Sequence, residues 1–181
     1  RQGRCRTASG AEALAEGSGR FDQGTSGPED LERAISAVRY LHDPASPSPR
    51  TTLESLVDAR IPFVITGDLA LAFRGNSGGV RAIDIAAETR PAWSTKLADL
   101  LNTLGAKPRG VPVRDAFRLD SLLVRSANTL ALRAGSVSLN IAGSLLLAGE
   151  FQQMVDAAQS VLMNGRKYLV ANTYKSPTAT S

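Results

Sequence analysis

Two short segments concentrate the groups that could do chemistry. The first is Ile65-Thr66-Gly67-Asp68-Leu69-Ala70. The second is Arg81-Ala82-Ile83-Asp84-Ile85-Ala86, which follows a loop holding Gly75, Gly78 and Gly79. A glycine where a strand turns into a helix lets the backbone come close to a ligand, and the free amides of the helix start favour a phosphate. An aspartate on the neighbouring strand can hold a divalent cation such as Mg2+ beside that phosphate. Gly67 is therefore the candidate phosphate-turn residue and Asp84 the candidate metal ligand, while Arg81 could reach a phosphate across the glycine-rich loop. Residues two apart on a strand share a face, so Glu88 joins Asp84 if the strand continues that far. A shifted cluster of Asp84, Asp68 and Glu88 would then surround one ion. The same residues also have plain structural readings. Asp68 can accept from the free amides of a helix at 69 to 74, Glu88 can be a solvated strand end, and Arg81 an exposed strand start or a partner for Asp84.

Composition narrows the chemistry further. The chain has 181 residues, of which 43% are hydrophobic and 21% charged, a balance that excludes a wholly disordered or collagen-like protein. Its formal net charge is +4, which permits an acidic partner, a nucleotide or a nucleic acid without requiring any of them. Cys5 is the only cysteine and His42 the only histidine, so an internal disulfide, a thiolate-rich metal site and a multi-histidine zinc site are all excluded. Catalysis, if present, must rest on carboxylates, hydroxyls, lysine, arginine or backbone groups. No apolar run approaches the ~20 residues that span a bilayer, and no leader pattern appears, so the expectation is a soluble cytoplasmic protein with no membrane partner.

The elements that must position Gly67 and Asp84 follow from periodicity. Residues 1 to 27, rich in Gly, Ser, Arg and Ala, are expected to be a flexible tail, and residues 177 to 181 a second short one. A helix starts at Pro28 and carries Leu31, Ile35 and Val38, and Thr51-Thr52-Leu53-Glu54 has the form of a capping box opening a second helix. Ile61 to Ile65 reads as a buried strand, Leu69 to Phe73 as a short helix, and Arg81 to Ala87 as an alternating strand. Pro91 opens a helix through Leu104. A weak strand lies near Phe117 or at Leu122 to Val124, and alternation on both sides of Ala134-Gly135-Ser136 marks a hairpin. The segment from Ser144 to Asn164 contains a helix with Phe151, Met154, Val155, Ala158 and Leu162 on one face, followed by a last strand at Lys167 to Ala171. The order implies one α+β (α/β-like) domain over 28 to 176, a mixed β-sheet with flanking helices.

With these residues in place, the sequence resembles the nucleotidyltransferase superfamily, particularly its minimal, antitoxin-associated type. The resemblance covers about residues 52 to 172 and rests on the Gly67 turn, the Arg81-Ala82-Ile83-Asp84-Ile85 strand and the later strand Val137 to Ala142. It implies a nucleotidyltransferase-like fold. In that family two carboxylates of an Asp-x-Asp strand, often with a third from a later strand, hold Mg2+ ions. The ions position a nucleoside triphosphate (NTP) for attack by a hydroxyl on its α-phosphorus. Two ions can clamp the attacking and leaving oxygens only if enough anionic oxygens hold them. This chain departs from the pattern three times. Asp68 stands at the second turn position, Ala86 at the second acid and Asn140 at the third, leaving Asp84 as the one matched acid.

The resulting expectation is a nucleotidyltransferase-like protein, catalytically impaired, with residual nucleotide binding through Gly67, Asp68 and Arg81. Two alternatives stay open: an active Mg2+-dependent enzyme moving NMP from an NTP to a hydroxyl acceptor, and a non-enzymatic regulatory or toxin-antitoxin protein that binds a protein partner. Arg74, Arg114, Arg118, Arg125, Arg133, Arg166 and Lys167 spread along the sequence as a broad positive tendency rather than a stripe, with no interleaved aromatics. Nucleic acid is thus a minor candidate partner.

Overall fold

The computed structural model describes residues 26–76, 78–110, 112, 117–143 and 149–172. The expected tails, apart from Ser26 and Gly27, lie outside the described residues, as do Arg114 and the first residues of the expected 144–164 helix. The described chain is α+β: helices flank one mixed sheet of seven strands. Among the described residues no helix is long and apolar enough to cross a membrane.

Helix α1 (Pro28–Ser36) begins with proline at its first position, and the Asp30 carboxylate accepts the Gly27 N–H at 2.8 Å. Helix α2 (Pro49–Asp58) starts earlier than the Thr51 capping box suggests. Ser48 is its cap, with Oγ accepting the Thr51 N–H at 3.1 Å, because Pro49 is pre-set for the first helical position and Ser48 supplies the missing acceptor. Strand β1 (Phe63–Thr66) runs straight into α3 (Gly67–Phe73). Strand β2 (Ile83–Ala87) leads to α4 (Pro91–Thr103), and β3 (Ala106–Pro108) follows the Gly105 turn.

The expected strand at Leu122 to Val124 is instead a helix, α5 (Ser121–Ser126). Asp120 Oδ1 accepts the Leu123 N–H at 2.7 Å, and this cap favours the helical start over an extended run. Among the described residues near Phe117 there is no strand either. The backbone of Leu119 is satisfied by the side chain of Asn102, which accepts its N–H and donates to its carbonyl, both at 2.8 Å. The hairpin forms as expected from β4 (Thr129–Ala134) and β5 (Val137–Ala142).

The long helix expected up to Asn164 is cut short. Helix α6 covers only Glu150–Ala157, and Gln159–Met163 is strand β6, paired antiparallel with β7 (Arg166–Val170). Asn164 (φ 51°) and Gly165 (φ 73°) make the two-residue turn between them. Asn-Gly is a strong hairpin signal that competes with helical periodicity, and here it wins. Val161 and Met163 consequently face the core while Leu162 points to solvent at 67% exposure. Phe151, Met154 and Val155 on α6 are half-buried rather than core residues.

The strand order is β3-β4-β5-β2-β1-β7-β6. β2 runs parallel to β5 and β1 parallel to β7, while the other neighbours are antiparallel. One face carries Ile65, Ile83, Ile85, Leu132, Leu139 and Ile141 into a continuous core with Leu53, Leu56, Leu69, Phe73, Leu97 and Leu101 of the helices. Each fully buried aliphatic side chain contributes roughly 1.5–3 kcal/mol by leaving water. The alternating residues on the opposite face include Asp84, Asn140 and Arg133.

Candidate functional site

The site sits where β1 passes into α3 beside β2 and β5. Gly67 has φ +59°, a left-handed conformation, and a Cβ built there would lie 2.4 Å from Asp84 Oδ2. Only glycine lets the Asp84 carboxylate come this close to the start of α3. The backbone of Asp68, the next residue, favours the ionised form of the Asp84 carboxylate.

Strand register completes the arrangement. Asp84 lies opposite Thr66 on β1 and opposite Asn140 on β5. Asn140 Nδ2 donates to Asp84 Oδ1 at 2.7 Å, and Arg109 Nη2 donates to Asn140 Oδ1 at 2.7 Å. This amide orientation is the one that satisfies both charges, with nitrogen toward the carboxylate and oxygen toward the guanidinium. Arg109 extends the ladder beyond β3, its N–H donating to the Ala131 carbonyl at 2.8 Å, which sets it in the row of Asn140 and Asp84.

Burial raises the pKa of Asp84 above the ordinary carboxylate value. The Asp68 carboxylate pushes it further up, while the Asn140 and Asp68 hydrogen bonds and the Arg109 charge oppose the shift. Arg81 stands in solvent with its side chain 83% exposed, and its Nε is 4.0 Å from Asp68 Oδ2. Such an exposed, loosely held pair contributes little to stability and leaves both groups available to a ligand. Together Thr66, Asp68, Arg81, Asp84, Arg109 and Asn140 line an open cleft of about 660 Å³.

Gly67, Asp68, Arg81 and Asp84 therefore meet in one cleft, whereas Glu88 does not join them. Strand β2 ends at Ala87, the Glu88 N–H donates to Pro62 O at 3.0 Å, and the Glu88 carboxylate pairs with Arg90 at 3.0 Å. It lines a separate cleft of about 520 Å³ with Thr89, Arg90 and Arg125. Among the described residues no three of His, Cys, Asp and Glu gather around a common point. The cluster of Asp84, Asp68 and Glu88 does not form. The donor set in the cleft also falls short of a two-ion clamp: Asp84 and Asp68 are its acids, and the Asn140 amide oxygen is turned to Arg109.

Sequence reasoning missed Arg109 as a site residue. The available signal was Lys107-Pro108-Arg109, two cations at alternate positions around a proline, which suits an edge strand. No protein-family model and no curated protein matches the chain.

Proposed function

We propose that this chain is a nucleotidyltransferase-like protein that has lost nucleotidyl transfer and keeps a cleft for the phosphates of a nucleotide. The reading rests on the resemblance and on one observation, the internal use of Asp84. Its Oδ1 accepts from the Asn140 amide, so a cation would have to share its one matched ligand with a protein donor. Asn140, in the place where the resemblance expects a third acid, cannot take a proton from an attacking hydroxyl. Arg81 and Arg109 both line the cleft and supply positive charge suited to an anionic ligand.

Isothermal titration with ATP, with and without Mg2+, coupled to an assay for pyrophosphate release, tests this reading. The expected result is weak ATP binding that Arg109→Ala reduces, with no pyrophosphate released. Mg2+-dependent release abolished by Asp84→Ala would show an active enzyme instead. Absence of any ATP binding would leave the protein-partner alternative.

A further inference from the structure

Three cations that the sequence scatters are brought together on the sheet face beside the cleft. Lys107 on β3 lies directly opposite Arg133 on β4, and Arg109 stands two residues beyond Lys107 on the same face. All three side chains are exposed. Directly opposed side chains have Cβ atoms roughly 4.5–5.5 Å apart, and successive rows on one face lie about 6.8 Å apart. Arg109 has the Asn140 amide as its partner, and among the described residues none of the three is in an ion pair with a carboxylate. On its other side Arg133 faces Ser138 rather than an acid.

Like charges directly opposite each other weaken a sheet. The pair Lys107 and Arg133 is therefore a cost to the isolated fold that a polyanion would turn into attraction. We propose that this face binds the phosphodiester backbone of a single-stranded nucleic acid, with Lys107, Arg133 and Arg109 each contacting a phosphate. The two rows, about 6.8 Å apart, present three cations to a short stretch of one strand. Among the described residues Lys107, Arg133, Ser138, Arg109, Ala131 and Asn140 form this surface, with no aromatic side chain to stack a base. Recognition is then electrostatic and independent of sequence. Arg109 is shared with the cleft whereas Lys107 and Arg133 do not line it, so these two distinguish this surface from the cleft.

The test measures fluorescence anisotropy of labelled 20-nucleotide oligouridylate and oligothymidylate with the full chain over a salt series. Each neutralised phosphate on a single strand contributes about −0.7 to the slope of log affinity against log salt. Lys107→Ala with Arg133→Ala should make the slope shallower by about 1.4, whereas Lys167→Ala on β7 should leave it unchanged. Lys107→Glu gives readouts of opposite sign. It places a carboxylate across from Arg133, so thermal stability should hold or rise while affinity falls at least about tenfold.

RNA and DNA should bind within about threefold of each other. The proposal is overturned if neither oligonucleotide binds at low salt, or if Lys107→Glu binds as well as the parent. It also fails if one sugar is preferred by more than about tenfold, or if polyglutamate of matching charge competes as well as RNA, which would mark an acidic-protein surface instead.

Discussion

Gly67→Ala probes the closest approach in the site. The alanine Cβ would be placed 2.4 Å from Asp84 Oδ2 and 2.7 Å from Asp84 Cβ, both well inside van der Waals contact. Neither neighbour can yield easily, because Asp84 is held in the middle of β2 between Thr66 and Asn140. The substitution also puts a side chain at φ +59°, which costs about 1–2 kcal/mol on its own. Displacing Asp84 strains the hydrogen bond that Asn140 donates to it, worth about 1.5–3 kcal/mol for a charged acceptor. Since a displaced carboxylate regains some water, the whole cost should be about 3–5 kcal/mol. At about 2–4 °C per kcal/mol for a domain of this size, Tm should fall by about 6–20 °C. Gly105→Ala is the matched control, with φ +64° and nothing within 4 Å of the added Cβ. It should show the backbone cost alone, about 1–2 kcal/mol. Urea denaturation of both variants supplies the comparison. If Gly67→Ala is no more destabilising than Gly105→Ala, the contact between this turn and the Asp84 carboxylate is not what selects glycine.

Two further outcomes follow from buried groups. Asp84 has a raised pKa in the fold, so the folded state takes up its proton at higher pH than the unfolded chain does. The stability of the parent relative to Asp84→Asn should therefore rise as pH falls through the raised value, level off below the ordinary value of 3.8, and be lost again as pH rises. A stability difference that stays flat between pH 3 and 7 would contradict the shift. Tyr168 is 1% exposed and its hydroxyl has no hydrogen-bond partner among the described residues. Tyr168→Phe removes that unsatisfied group and should leave Tm equal or raise it, by up to about 2 kcal/mol of stability; a loss above about 1 kcal/mol would reveal a partner.

Local signals carried much of this fold. Pro28 and Pro91 open the helices they were expected to open, because a proline's fixed φ and missing N–H suit a first helical turn whatever surrounds it. The β4–β5 hairpin was equally legible from alternation around Gly135. The errors arose where two local signals competed. Helical spacing through Met154 to Leu162 was overridden by the Asn164-Gly165 turn, and Leu122 to Val124 was drawn into a helix by the Asp120 cap.

What the sequence determined about the site was the list of chemistries it could not perform and the pairing of a glycine turn with Asp84 on the next strand. A lone cysteine and a lone histidine suffice for the first, and nearness along the chain for the second. Only the tertiary structure decided which groups meet Asp84. Asn140 is 56 positions away from it and Arg109 lies 31 positions before Asn140, joined by the parallel register of β2 and β5 and the edge ladder of β3 on β4. The period of two within a strand says which side chains share a face. It says nothing of which strand lies alongside, and that choice, made by the burial of the whole core, aligned one carboxylate, one amide and one guanidinium in a single row.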